Sequence, residues 1–354
     1  MTRVDEDERL GRHGWNGNAS LPGPAAAVRR YRARMRYQQL GRSGLTVSVV
    51  GLGTNNFGGR LDLAGSRPVL EAALDAGINL IDTSDSYGSR GASETIIGEV
   101  LASSGRRDEA VIATKFGSDM AGSNGPDWGA RASRRYVMRA VEASLRRLRT
   151  DHIDLYQLHR PDGLTPLEET LSALHDLVVA GKVRYVGSSN LAAWQVADAD
   201  WISRDLGISR FVSAQNHYSL LSRGVEADLV PCCVAHGVSV IPYFPLASGF
   251  LTGKWHRGEE PPSGSRLAEP WGRTIASSNE HAFTILEGLQ ALAEAAGVSL
   301  VAVAIGALAA QPAVASVIAG AMSVEQVREN ATAADFLPTE TQLRQIDEIA
   351  PPGR

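Results

Sequence analysis

The sequence predicts an α/β protein: a closed (β/α)8 barrel of the TIM type, with an N-terminal β-hairpin and long loops after its third and seventh strands. Two observations carry this. From residue 50 onward, eight short apolar runs alternate with helical patterns, which calls for a parallel sheet covered on both faces. Eight such units in about 300 residues suit a closed barrel. Consecutive runs also end in charged residues, and barrel active sites form at the C-terminal ends of strands. An open doubly wound sheet is the alternative. It would carry a GxGxxG fingerprint after its first strand, whereas Gly51-Leu52-Gly53-Thr54-Asn55-Asn56 lacks the third glycine.

Residues 1–35 are rich in charge, Gly and Pro, with Pro22, Pro24 and the basic run Arg29-Arg30-Tyr31-Arg32-Ala33-Arg34. They read as an N-terminal extension, partly disordered, and the barrel is assigned to residues 36–354. Tyr37–Leu40 and Thr46–Val50 flank Gly41-Arg42-Ser43-Gly44, a hairpin pattern whose second arm can run on into a longer strand. The barrel strands are expected at Val50–Gly53, Leu80–Thr83, Val111–Lys115, Ile153–His159, Val183–Ser188, Phe211–Asn216, Val238–Tyr243 and Val314–Gly320. Helices are expected at Pro68–Ala76, Ser93–Ala102, Arg134–Arg149, Pro166–Ala180, Ala192–Leu206, Arg223–Ala235, Asn279–Ala296 and Leu300–Ala310. Ser133 reads as the N-cap of the third, with an apolar stripe through Val137, Ala140, Val141, Leu145 and Leu148. Thr165 reads as the N-cap of the fourth, with Pro166 at its first position and Gly181 beyond its end. Residues 117–132 and 247–278 break the alternation as long loops on one side of the barrel, and such loops are usually functional. No separate apolar core is expected after the second.

Composition excludes several function classes. The 354 residues are 44% hydrophobic and 21% charged, with a formal net charge of -4, which gives no general pull toward nucleic acid or anionic lipid. The only cysteines, Cys232 and Cys233, are adjacent, so neither a disulfide framework nor a CxxC site is expected, and a reducing cytoplasm is the default. No apolar run reaches the roughly 20 residues of a membrane span. No metal centre is expected.

The chemistry is read at the strand ends. Asn79-Leu80-Ile81-Asp82 runs into Thr83-Ser84-Asp85-Ser86-Tyr87-Gly88, an acid at a strand tip followed by a phenol. Lys115 ends the third strand and His159 the fourth. Neighbouring strands lie about 4.8 Å apart, so Asp82, Tyr87, Lys115 and His159 can converge. Each alone has an ordinary structural explanation; the conjunction on three consecutive strands points to a site. A phenol has a pKa of about 10, and a nearby cation is expected to lower it by stabilising phenolate.

These ordered motifs resemble those of the aldo-keto reductases over about residues 37–349. The match runs through Gly77-Ile78-Asn79-Leu80-Ile81-Asp82-Thr83-Ser84 with Tyr87-Gly88, Glu94 and Gly98. It continues through Ala113-Thr114-Lys115 and Ser144-Leu145-Arg146-Arg147-Leu148, then Ile153-Asp154-Leu155-Tyr156-Gln157-Leu158-His159. The long loops and Ser188-Ser189-Asn190 are most similar to the potassium-channel β-subunit and its bacterial relatives. The resemblance implies reduction of an aldehyde or ketone to an alcohol by hydride from a nicotinamide cofactor. Tyr87 would be the general acid, assisted by Lys115, Asp82 and His159. For the cofactor it implies Ser189, Asn190 and Gln215 at the carboxamide, Tyr243 stacked on the ring, and Gly53, Thr54 and Asn55 nearby. It further implies Phe244, Pro245, Leu246, Ser248, Gly249, Lys254 and Arg266 at the pyrophosphate loop. The last segment would contribute Gly320, Met322, Gln326, Glu329 and Asn330. NADPH is expected, with NADH open because Met322 stands where many relatives carry Ser, Lys or Arg, and a thioether cannot pair with a 2′-phosphate.

A small carbonyl compound is the expected partner. Its pocket is expected to be lined by Asn56, Phe57 and Trp128, with Trp271 and Phe244 as further candidates, and Arg160 either meets an anionic substrate or forms a surface salt bridge. Two other classes compete. One is a regulatory barrel that binds nicotinamide and turns over slowly; the other is a Schiff-base aldolase using Lys115. Asp82 argues against the aldolase, because a carboxylate raises the lysine pKa that such an enzyme must lower. Dehydrogenation of sugars or alcohols is the same reaction run backwards.

Overall fold

A computed structural model describes residues 35–269 and 280–353. The expected N-terminal extension lies outside the described residues except for Met35, which is buried in the core. β1 (Tyr37–Gln39) and β2 (Thr46–Ser48) form the antiparallel hairpin, and after a bend at Val49 the chain enters β3 (Val50–Gly53). The second arm therefore does lead into the barrel, through a corner. The hairpin closes the bottom: Leu40 and Val47 join Leu80, Ala113, Leu155, Ile241, Ala315 and Ile318 in a cluster that fills the barrel interior. Gly41 N donates to Ser239 Oγ at 2.7 Å and Arg42 N to the Gly237 carbonyl at 3.0 Å, fixing the plug.

The remaining elements follow in βα order: α1 (Leu63–Asp75), β4 (Leu80–Asp82), α2 (Tyr87–Ser104), β5 (Val111–Phe116), α3 (Arg134–Leu148), β6 (Ile153–Leu158), α4 (Leu167–Val179), β7 (Val183–Ser189), α5 (Ala193–Asp205), β8 (Phe211–His217), α6 (Leu229–His236), β9 (Ser239–Tyr243), α7 (Glu280–Ala296), α8 (Leu300–Ala309), β10 (Val317–Gly320), α9 (Val324–Ala333) and α10 (Glu340–Ile349). Strands β3 to β10 close into the predicted parallel barrel, β10 pairing with both β3 and β9. Apolar residues facing outward from the strands pack against α1 to α6, α8 and α9 to form the main core.

Four local expectations change. α1 starts at Leu63, because Asp62 caps it by accepting from Gly65 N at 2.8 Å, and Pro68 lies inside the helix. α4 is capped at Pro166, not Thr165; Asp162 instead accepts from the Thr165 amide and hydroxyl, both at 2.8 Å. The helix expected over Arg223–Ala235 is a 3-10 turn at Gly224–Glu226 followed by α6. The second long loop does precede an apolar cluster of its own. Phe250, Trp255 and Phe283 meet edge to face at 5.1–5.9 Å, and Leu286, Leu289 and Ile346 join them. These residues are scattered between Phe250 and Ile346, so no single run announced them.

α2, which begins at Tyr87, packs closely on α3. A β-carbon at Gly98 would stand 2.4 Å from the Arg147 carbonyl oxygen and 2.6 Å from the Leu148 carbonyl carbon. Both obstacles are backbone, so Gly98→Ala is expected to destabilise the fold by about 1–3 kcal/mol through overpacking, read as a lower urea midpoint with unchanged slope.

Candidate active site

Strand register sets the geometry. Asp82, the last residue of β4, pairs with Ala113 of β5, and Lys115 lies two residues further along. Residues two apart share a face of a strand, so Lys115 points into the barrel above Ala113 and its amine reaches back to the acid. Lys115 Nζ donates to Asp82 Oδ1 at 2.7 Å, Oδ2 at 2.9 Å and the Thr83 carbonyl at 2.9 Å. Its remaining neighbour is the Tyr87 hydroxyl at 3.4 Å. Lys115 is fully enclosed and Asp82 nearly so. Burial works against the ammonium, but Asp82 and then Tyr87 outweigh it and hold the lysine above its ordinary pKa. The Gln215 amide donates to Asp82 Oδ1 at 2.7 Å.

Tyr87 is half-buried at the head of α2, where Gly88, Ser89, Arg90 and Gly91 all adopt left-handed backbone before the regular helix begins. Left-handed conformation costs roughly 1–2 kcal/mol at a non-glycine residue; it turns the chain so that the phenol faces inward. Burial pushes the Tyr87 phenol above its ordinary pKa, Lys115 pulls it down and Asp82 raises it. The expected lowering by lysine is present but desolvation outweighs it, so the phenol is protonated at neutral pH.

His159, just past β6, stands edge-on to Tyr87 with ring centroids 6.1 Å apart. Its Nδ1 lies 2.9 Å from Ser118 Oγ and 3.2 Å from Ser84 Oγ. Burial, then the charges of Lys115 and Arg160, bring its pKa down to about 3. The ring is therefore neutral at physiological pH. Neither serine was legible as functional, since hydroxyls after a strand are ordinary turn formers.

A cavity of about 720 Å3 opens over these groups and is lined by Asp82, Tyr87 and His159. It extends past Gly53, Thr54 and Asn55, past Ser189, Asn190 and Gln215, and along Tyr243, Phe244, Pro245, Leu246, Ser248 and Gly249. Lys254, Arg266, Gly320, Met322, Gln326, Glu329 and Asn330 complete that wall. Tyr243 donates to Asn190 Oδ1 at 2.8 Å, and Asn190 Nδ2 donates to Ser189 Oγ and to the His159 carbonyl, both at 3.0 Å. Arg266 donates to Asn56 Oδ1 at 2.6 Å and to Asn55 Oδ1. Gln326 Oε1 accepts from Met322 N at 2.7 Å. Lys254 is exposed at the rim.

The substrate residues divide. Asn56 lines the cavity, whereas Phe57 is fully buried in the main core and Trp128 is 71% exposed beneath the Arg135 guanidinium. The structure thus does not bring Phe57 or Trp128 to the cavity. The turn after Asn56 folds Phe57 inward, and positive φ at Trp128 turns that ring to solvent. Trp271 lies outside the described residues. Arg160 lies exposed at the cavity and forms no salt bridge among the described residues. Arg60, Ser86, Ser118, Thr252 and Ser265 are lining residues that the sequence reading missed.

Residues 49–351 match the model of the aldo/keto reductase family. The chain belongs to that family. Among its relatives, the probable voltage-gated potassium channel subunit beta of Arabidopsis thaliana is 35% identical over 87% of this chain and 94% of its own length. The uncharacterized oxidoreductase YrpG of Bacillus subtilis is 36% identical over 90% and 97%. The versiconal hemiacetal acetate reductase of Aspergillus parasiticus is 38% identical over 77% and 84%. Membership and these relatives identify an oxidoreductase of aldo/keto reductase type built on a (β/α)8 barrel.

The buried ion pair is a stability element as well. Lys115→Met strands the Asp82 carboxylate beside Gln215 and is expected to cost about 3–5 kcal/mol. Equilibrium denaturation of the variant checks this.

Proposed function

We propose that this aldo/keto reductase reduces an aldehyde or ketone to an alcohol with NADPH, using Tyr87 as the general acid. One observation carries the reading: a buried ammonium, locked by Asp82 and the Thr83 carbonyl, has the Tyr87 hydroxyl as its remaining neighbour, and that hydroxyl faces the cavity.

The cavity suits a dinucleotide. Ser248 Oγ is buried without a hydrogen-bond partner, and Phe244, Ala247, Ser248 and Gly249 all have positive φ, backbone of the kind found in anion-binding concavities. The N-terminus of α9 also reaches the cavity, through Met322 and Gln326, and helix N-termini favour an anion. Ser248, Gly249 and Lys254 would hold the pyrophosphate, and Ser189, Asn190 and Gln215 the carboxamide, with Tyr243 against the ring. Met322, Gln326, Glu329 and Asn330 would meet the adenosine end. When bound, the reduced cofactor supplies the hydride.

The protein's own part is electrostatic. As charge grows on the carbonyl oxygen, Tyr87 passes it a proton. Lys115 stabilises the phenolate left behind and Asp82 holds Lys115 charged and aimed. Neutral His159 donates from Nε2 to the same oxygen, polarising the carbonyl. Preference for NADPH rests on Arg266 and Lys254, cations that line the same cavity as Met322, which offers none.

Tyr87→Phe is expected to lower kcat by about 10²–10⁴-fold in an NADPH-oxidation assay with 4-nitrobenzaldehyde; near-full rate in the variant would overturn the acid role. Lys254→Ala combined with Arg266→Ala is expected to raise KM for NADPH more than for NADH, and a wild-type kcat/KM favouring NADH would overturn the cofactor assignment. A second reading draws on the channel-subunit relatives: a nicotinamide-binding barrel with slow turnover. Tight cofactor binding with turnover far below one per second on every carbonyl tested, and on alcohols and sugars in reverse, would favour it over the reductase.

A further inference from the structure

Asp85 lies behind the reacting groups and the mechanism above makes no use of it. It is fully buried. Asn124, on the loop after β5, donates to its Oδ2 at 3.0 Å. Its Oδ1 is 3.3 Å from Ser84 Oγ, and Ser84 Oγ is 3.2 Å from His159 Nδ1. A carboxyl, a hydroxyl and an imidazole therefore stand in series, and the hydroxyl has one proton to give; the Ser86 amide also donates to it at 3.2 Å, and Ser86 Oγ at 3.0 Å can donate to it or accept from it.

The direction of that proton follows from the carboxyl. An ionised carboxylate only accepts. Ser84 then donates to Asp85, its oxygen accepts from Nδ1–H, and His159 presents a bare Nε2 to the cavity. A protonated Asp85 donates to Ser84 instead. Ser84 then donates to Nδ1, and His159 presents Nε2–H. Ser118 can donate to Nδ1 or accept from it, so it accommodates either state. Only the second state lets His159 donate to a carbonyl oxygen.

We propose that Asp85 is a positioning residue that sets the tautomer of His159 through Ser84. The role rests on the reading of His159 as a donor to the carbonyl. Burial, reinforced by Glu94 and opposed by Arg147, Ser84 and Asn124, raises Asp85 to about 8. Four other ionisable groups face it. Glu94 of α2 is held by Arg147 of α3 at 2.6 Å and by Thr114 of β5 at 2.5 Å. Tyr136 of α3 is pushed up to about 12 by burial, and the Tyr156 phenol of β6 is raised well above its ordinary value by the same cause. His159 is already neutral. Asp85 is the group left to titrate, and below pH 8 it holds the donating state.

The test reads the imidazole directly. With 15N-labelled histidine, and His159 assigned by the signal lost in His159→Gln, the wild type is expected to pass from Nε2–H to Nδ1–H as pH rises through about 8. Asp85→Asn can still accept from Asn124 while its amide donates to Ser84, so it is expected to keep Nε2–H throughout. Ser84→Ala breaks the series and is expected to lose the pH response; it serves if the first variant fails to fold. In carbonyl reduction, wild-type kcat is expected to fall roughly tenfold between pH 7 and 9, with KM unmoved, and Asp85→Asn to lack that limb. One tautomer across the whole range in the wild type, or an unaltered basic limb in Asp85→Asn, would overturn the proposal. The spectra need no turnover. An inactive protein with a switching tautomer would sink the reductase reading alone, and an active one with a fixed tautomer would sink the positioning role alone.

Discussion

Everything at the mouth of the barrel depends on one ion pair buried from water. Bringing an ammonium and a carboxylate into a dry interior is expensive, and the expense is recovered only when every remaining hydrogen-bonding position is filled. The barrel fills them with main-chain and amide groups. Thr83 offers its carbonyl to Lys115 and Gln215 offers its amide to Asp82, which draws β4, β5 and β8 together around one charge. The last available direction on the ammonium points to a phenol. Stability and reactivity therefore share the same atoms, and a change that relaxes the pair disturbs both.

The fold was legible because parallel strands buried on both faces are written as short apolar runs, and all eight appear in order. The four charged or aromatic site residues were legible for a related reason: a strand buried on both faces leaves a polar residue little to do except at its tip. Helix starts were less readable. Asp62 caps α1 ahead of a proline that looked like a first residue, and Thr165, expected to cap α4, instead donates its amide and hydroxyl to Asp162. Caps are decided by which side-chain oxygen reaches an amide, and several neighbouring residues can.

The substrate side was least legible, again for physical reasons. Phe57 and Trp128 are large apolar residues in loops near the site, and sequence alone does not say which way a loop ring faces. One belongs to the core and the other lies under an arginine at the surface. The network of Ser84, Ser118, Asp85 and Asn124 joins residues of common turn-forming type whose significance comes from being buried together. The signal in the sequence was only an unusual density of hydroxyls and acids over Thr83-Ser84-Asp85-Ser86.

The two loops that flank the mouth are anchored very differently. Asn124 reaches from the first into the buried carboxyl of Asp85 and also accepts from Arg147 at 3.2 Å. That wall cannot swing outward without taking one hydrogen-bond partner each from the buried Asp85 carboxyl and from Arg147. The other loop is anchored in an apolar cluster by Phe250, Trp255 and Leu267 and tied across the cavity by part-buried Arg266 on two asparagine carbonyls and by the Arg60–Glu269 pair, the last within reach of solvent. Solvent-exposed ion pairs contribute about 0–1 kcal/mol, and water can replace them as they part. The mouth is thus lopsided: one side is braced by buried polar groups, while the Arg60–Glu269 pair that crosses it from the other side is one that water can replace.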